Sequence, residues 1–524
     1  MGLLDLCMLA WLALSVHAIV ELPAYRMQHF ELLGITRGSK AYSLNGEAVT
    51  WSTLSGLRSG SGMIALLKWS EIPLIREAVA RGVFGVILVL PPDSPELPPN
   101  EDHMANEFAL FEETHSTSIY IVKDSPEIRE AFERAHRPNA GAFDLGRLWS
   151  GKLTQLTITA PAPQVIRQPR LPTLHGMLPG FGVQEQLPTV AVVAHYDAFA
   201  AAADLAYGAD SNGSGIAAVL ELLRLFSRLY SGDKMHPRAN LIFVLSGGGK
   251  LNYQGTKKLV EDAVESANSD SILADSLFTI CLESIGSKPE LVAHVSKPPR
   301  PDNAMRKFFN ILNVTGDVPM VHKKINLAEE MRVWEHERFS LSKLPAFTLS
   351  SLANHNSRSR MSLFDQRIDI SALEENVRRI AVAISAFVYQ RPAEVTDEFF
   401  KGELAVSREH LQAVVDFVTS RPRSTQVLLE KSNDVVSSLE KMMNRYLLKS
   451  TAKISIFEPD RREPEFVLYD QTAATLQISE VKPVLFDILL FSIIVVYLAV
   501  VYVSVSEFGL VVRALSPRKA KKVD

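Results

Sequence analysis

Short apolar runs and apolar stripes at helical spacing alternate along most of this chain. Runs at 63–67 and 83–90 read as buried strands, the second closed by Pro91-Pro92, with a helix-spaced stretch at 71–81 between them. They predict a small α/β lobe over residues 19–150. Between 151 and 390, runs at 156–159, 174–178, 189–194 and 241–245 read as successive strands. Ile216, Val219, Leu220, Leu223 and Phe226 recur at helical spacing over 215–229. Alternation of this kind predicts an α/β fold with a sheet sandwiched between helices. Beyond Pro392 the texture changes. Val435, Leu439, Met442 and Tyr446 form a helical stripe, 453–481 reads as short strands, and the whole of 391–482 carries no interpretable motif.

The last apolar run differs in kind. Residues 488–505 hold no charge and, with Val484 to Phe486, are long enough to cross a hydrocarbon layer of about 30 Å as a helix. A transmembrane helix is therefore expected over 484–506, with Asp487 and Glu507 as interfacial charges. Arg513, Arg518, Lys519, Lys521 and Lys522 follow it, against Lys482 alone before it, which places the tail 507–524 in the cytosol. At the other end, residues 1–18 contain an apolar stretch closing on Val16-His17-Ala18, a small-residue cleavage pattern. They read as a signal peptide, although its first residues carry Asp5 and no base.

Composition adds little beyond size. The chain has 524 residues, 47% of them hydrophobic and 22% charged, enough for two or three domains with a sizeable core. A net charge of −4 gives no electrostatic case for a nucleic-acid partner. The two cysteines are Cys7, inside the expected leader, and Cys281, so no internal disulfide is expected and the core alone must hold the fold.

Three stretches carry candidate chemistry: TVAVVAHYDA at 189–198, GADSNGSG at 208–215 and IFVLSGGGKLNYQGT at 242–256. They are similar to the M28 family of co-catalytic zinc aminopeptidases. The resemblance implies an aminopeptidase-like mixed sheet, and the 19–150 piece resembles the protease-associated lobe found beside such domains. In this chemistry two zinc ions polarise the scissile carbonyl and activate a water. They need imidazole and carboxylate ligands, one carboxylate bridging both metals, and a glutamate as general base.

Position by position, the resemblance makes His195 the first metal ligand and Asp197 the carboxylate orienting it. Ser211 stands where the bridging aspartate belongs, and Asp210 serves only if the loop slips by one residue. Gly249 and Lys250 stand at the glutamate pair, so the base is gone and an ammonium faces the metal positions. Glu283 and His355 keep donors at the remaining ligand positions, and His336 matches a histidine outside the metal shell. The expectation is a domain that lacks catalytic residues, metal and cofactor, with Lys250 paired to Glu283 in place of zinc.

The whole plan of leader, small lobe, peptidase-like lobe (151–390), one span and lysine tail is similar to that of the nicalins, nicastrin-like members of this group. Lys521 and Lys522 resemble the dilysine retrieval signal of endoplasmic reticulum (ER) membrane proteins. Asn313-Val314-Thr315 and Asn212-Gly213-Ser214 are glycosylation sequons if the bulk of the chain is lumenal. The resemblance implies a single-pass type I ER scaffold. Its implied partners are the Nodal modulator protein, a small multi-pass ER membrane protein and the Sec translocon. Its implied roles are multi-pass membrane protein biogenesis and modulation of Nodal signalling. Two other classes remain: an active lumenal zinc aminopeptidase, and a substrate receptor of an intramembrane protease.

Overall fold

The computed structural model describes residues 19–482, except 93–98, 112–113, 137–152, 168, 183–186, 233–235, 266–272, 274–275, 448–451 and 459–461, together with 484–506 and 509. The expected leader and the tail lysines Lys521 and Lys522 lie outside the described residues.

The larger sheet has eight strands, ordered Met320–His322, Val292–Val295, Ala346–Ser350, Ser276–Leu282, Thr189–His195, Asn240–Ser246, Pro172–Leu178 and Lys453–Ile456. Its four middle strands, from Ala346–Ser350 to Asn240–Ser246, are mutually parallel. Almost every residue in them is buried, which explains why their sequences run apolar without alternation. The helices Ser214–Ser231, Ile370–Tyr389 and Ala304–Thr315 cover one face. Gln254–Glu265 and His336–Leu341 pack against the other. This is the sandwich that the alternation predicts.

The small lobe is a closed barrel of seven strands. Its order is Val20–Arg26, Ala473–Val481, Leu153–Ile158, Leu44–Thr50, Met63–Lys68, Gly85–Val89 and Ser118–Val122, which returns to Val20–Arg26. The strand expected at 156–159 forms, but it pairs in this barrel and not in the larger sheet. Sheet pairing therefore does not follow the break expected at 150/151. The helix expected over 71–81 begins as a 3₁₀ turn, Trp69–Leu74, because Pro73 removes a donor, and becomes α-helical only at Ile75–Ala80.

The segment without a motif turns out to tie the molecule together. Lys453–Ile456 edges the eight-stranded sheet, Phe466–Tyr469 sits in a separate five-stranded sheet beside His29–Leu32, and Ala473–Val481 closes the barrel. Each strand supplies pairing that local sequence cannot announce, because its partner lies hundreds of residues away. After it comes the Val484–Ser506 helix, whose window Phe486–Val503 has a mean hydropathy of 2.6 and is only 6% buried. It is long and apolar enough to cross a membrane.

Glu107, on the Glu101–Phe111 helix of the small lobe, is one polar joint between the lobes. Its buried carboxylate accepts from Ala201 N (2.8 Å), Ser362 Oγ (2.7 Å) and Leu363 N (2.9 Å), all in the larger lobe. No cation is among these partners, and burial pushes its carboxyl up to about 7 against those hydrogen bonds. The folded state thus holds this proton more tightly than the unfolded chain. The stabilisation is complete below the ordinary glutamate range and fades as pH rises to 7. Replacing Glu107 by Gln should remove a stability loss approaching about 1.4 kcal/mol per pH unit within that window. In melts from pH 5 to 8, the wild-type advantage over Glu107→Gln should shrink as pH rises; parallel profiles would mean the carboxylate stays ionised.

Candidate functional site

Every residue matched to the metal site lies at or beyond the carboxyl end of a parallel strand. His195 ends Thr189–His195, Gly249 and Lys250 follow Asn240–Ser246, Glu283 follows Ser276–Leu282, and His355 lies beyond Ala346–Ser350. An open α/β sheet presents its crevice there. What occupies this crevice is a set of the chain's own cations.

Glu283 is buried, and burial by itself would raise its pKa. The charges of Arg360 and then Lys250 overcome that and hold it down at about 2. Arg360 Nε is 2.8 Å from Glu283 Oε1, and Lys250 Nζ is 3.5 Å from the same oxygen. Tyr253 Oη donates to Oε2 at 3.3 Å. Arg360 also donates to Tyr253 Oη, Val333 O and His355 O, and its guanidinium lies 4.1 Å from the centre of the Trp334 ring. The expected Lys250–Glu283 pair is present. The shorter contact comes from Arg360, which the sequence reading does not single out.

Gly249 explains why no side chain stands at the first glutamate position. A Cβ there would meet His195 Cβ and Cγ, each at 2.3 Å, so the histidine already fills that space. Fully buried, His195 has its Nδ1 3.6 Å from Glu335 Oε2, and neither ring nitrogen has a hydrogen-bond partner. Glu335 in turn accepts from Ser246 Oγ (2.6 Å) and Thr256 Oγ1 (2.5 Å). Asp197 does not take the orienting role expected of it. Its two oxygens accept from the backbone N–H groups of Gly249 (2.7 Å) and Lys250 (2.9 Å).

The 208–215 loop is equally committed to itself. Gly208 adopts a positive φ of 63°, suited to glycine, and opens a helical turn. The N–H groups of Asp210 (2.7 Å) and Ser211 (2.8 Å) donate to the buried carboxylate of Asp365. Asp210 in turn accepts from Gly286 N at 2.7 Å. Burial and then the neighbouring Asp365 charge push the Asp210 carboxyl up to about 7. Asn212 is fully buried, donating to Asp197 O and accepting from Arg423, so the sequon at that position leaves no room for a glycan in this fold. Asn313 is exposed near the end of Ala304–Thr315, with its Oδ1 accepting from Val318 N.

Arg423 is the other residue that sequence reasoning misses. It comes from the loop after the helix Arg408–Thr419, and its side chain is wholly buried. Its guanidinium donates to Tyr196 O (2.6 Å), Tyr207 O (2.7 Å), Gly208 O (2.9 Å), Asn212 Oδ1 (2.9 Å) and Val418 O (2.8 Å). Burial lowers its pKa to about 10, opposed by the charges of Asp365 and Asp197. Nothing local in the sequence marks it; only the tertiary fold places it there.

His355 is half-buried, and its carbonyl is held by Arg360 at 3.0 Å. His336 is buried with Nδ1 2.9 Å from Thr348 Oγ1, and burial lowers its pKa to about 3. Among the described residues, no group of three or more His, Cys, Asp or Glu side chains is placed to hold a metal ion. The donors present do not fit a metal pair: His195 packs against Gly249, and Glu283 is saturated by cations.

Comparison with known proteins places the fold. Peptidase family M28 matches residues 174–356. The chain is 35% identical over 544 residues to the BOS complex subunit ncln of Danio rerio, covering 96% of this chain and 94% of that protein. It is 25% identical over 508 residues to a Caenorhabditis elegans protein named Nicalin, covering 90% and 87%. The crystal structure of the gamma-secretase component Nicastrin shares the fold, with a TM-score of 0.61 at 11% identity, covering 87% of this chain and 99% of that one.

Two consequences are testable by melting the purified protein. Arg360→Leu leaves the buried Glu283 carboxylate with Lys250 alone and should cost up to about 3 kcal/mol. Adding Glu283→Leu should recover much of the loss, and Lys250→Ala alone should cost less than Arg360→Leu. Gly249→Ala should also destabilise, by several kcal/mol unless His195 swings away. An unchanged melt for Arg360→Leu would refute the account of the ion pair.

Proposed function

The chain belongs to the nicalin family of BOS complex subunits, and on that premise we propose that it is a non-catalytic membrane scaffold. The observation that carries the reading is the cation set on Glu283. Arg360 and Lys250 supply inside the crevice the positive charge that zinc supplies in an M28 peptidase, and the chain pairs them at 2.8 and 3.5 Å. With Ser211 at the bridging position and Gly249 and Lys250 at the glutamate pair, no base remains to activate a water.

In this reading the 19–150, 151–390 and 391–482 regions lie in the ER lumen and the 484–506 helix spans the membrane once. The tail carries Lys521 and Lys522 as a retrieval signal, and Asn313 bears a glycan. The scaffold works in a complex with the Nodal modulator protein and a small multi-pass membrane protein at the Sec translocon. There it supports biogenesis of multi-pass membrane proteins and modulates Nodal signalling. The name of the relatives supports membership of a multi-subunit complex; the individual partners follow from the resemblance.

Two measurements test it. Elemental analysis of the purified chain after dialysis should give well under about a tenth of a zinc ion per molecule, against the two that the peptidase mechanism needs. Purification in mild detergent should bring translocon components. Two retained zinc ions would revive the peptidase, and recovery of an intramembrane protease in place of the translocon would favour a substrate receptor. Asn313→Gln should remove one endoglycosidase-sensitive glycan.

A further inference from the structure

The crevice at the strand ends of the larger sheet is filled, but a cavity of about 370 Å³ opens elsewhere, between the two lobes. That is within the size range of ligand pockets. Leu90, Leu205, Leu363 and Phe364 form its apolar floor, and Lys123 and Arg367 stand at its rim. The first of these rim cations follows the barrel strand Ser118–Val122, and Leu90 follows Gly85–Val89. The cavity therefore lies at the carboxyl ends of parallel strands, where α/β sheets present binding groups.

Among the described residues its charge is one-sided. Asp124, in the wall, is already neutralised by Arg129 at 2.5 Å. Lys123 and Arg367 are exposed and have no ion pair among the described residues. An apolar floor with two unpaired cations above it suits a ligand that joins an apolar side chain to a carboxylate.

Strand direction says where such a ligand comes from. Leu44–Thr50, Met63–Lys68, Gly85–Val89 and Ser118–Val122 are parallel in sequence around the barrel. Ser118–Val122 is antiparallel to Val20–Arg26, which is antiparallel to Ala473–Val481. The strand that leads into the Val484–Ser506 helix thus runs in the same sense as the strands whose ends form the cavity. The cavity faces the end of the barrel from which the candidate membrane helix departs.

We propose that this interlobe cavity binds an acidic, apolar-containing peptide segment lying close to the membrane in a partner protein. The proposal rests on the scaffold reading only for choosing a protein as occupant. A carboxylate of the segment pairs with Lys123 and Arg367, and its neighbouring apolar side chain covers Phe364 and Leu363.

The test uses the full chain in nanodiscs of zwitterionic lipid and a fluorescein-labelled, N-acetylated Asp-Leu-Asp-Leu-Asp-Leu peptide, read by anisotropy. Binding should weaken about tenfold or more in the Lys123→Glu, Arg367→Glu double variant and at high salt. Both positions are exposed, so the variant's melt should match the wild type. With both peptides C-amidated, an Asn-Leu peptide of the same length should not bind. Equal binding of the neutral peptide, or no effect of the double variant, would overturn the proposal. Binding of glycerophosphoserine by calorimetry, lost in the double variant and with no peptide binding, would overturn the peptide and identify a lipid-headgroup site instead. Failure of peptide binding with translocon co-purification intact would sink the cavity proposal and leave the scaffold reading standing.

Discussion

The contact on which the rest of the crevice depends is the 2.8 Å pair between Arg360 and Glu283. A carboxylate buried at the end of a parallel strand needs a positive charge nearby, because burial strongly disfavours its ionised form. A metal ion is one solution, and it demands that several side chains converge on one point. A guanidinium is another. It arrives on its own side chain, donates in several directions at once and leaves the neighbouring positions free to change. Once Arg360 lies over Trp334 and reaches Glu283, Tyr253, Val333 and His355 together, the carboxylates elsewhere in the crevice can serve the backbone. Asp197 does so by holding the Gly249 and Lys250 amides, and Asp365 by holding those of Asp210 and Ser211.

Arg423 extends the same logic to the chain's most distant segment. Four of its five acceptors lie within residues 196–212, the stretch that follows His195 and holds Ser211, set by the resemblance at the bridging position. The loop that would present ligands to metal is instead wrapped around one arginine. Residues beyond 391 therefore do two jobs. They fix that loop from one side, and their three strands join the eight-stranded sheet, the five-stranded sheet and the barrel. A single covalent thread through three sheets couples their stabilities, and it ends at the helix long enough to cross a membrane.

One contact between the lobes is Glu107, held without a cation, which makes that joint sensitive to protonation near neutrality. Charge is thus handled in two ways within one molecule. In the crevice, Glu283 is paired with two cations and held far below its ordinary range; at the lobe boundary, Glu107 is held by hydrogen bonds alone and keeps its proton far more readily. A cavity of about 370 Å³ lies at that boundary, beside Leu363 and Phe364.

The sequence by itself determined the elements with local signals. Continuous apolar runs gave the buried parallel strands, helical spacing gave the Ser214–Ser231 helix, and an uncharged run near the end gave the Val484–Ser506 helix. Its motif spacing also set Ser211, Gly249 and Lys250, as an expectation from resemblance, at the bridging and glutamate positions of the M28 peptidases. Even the Lys250–Glu283 pair was legible, because a carboxylate kept without its metal requires a cation. Only the tertiary structure decided which cation comes closest, that Asp197 turns to the backbone, that Asn212 is buried, and that residues 153–158 and 473–481 close a barrel with the N-terminal strand. The reason is physical: strand pairing and burial of charge are settled between residues far apart in the chain, and neither leaves a periodic or compositional mark on the sequence around them.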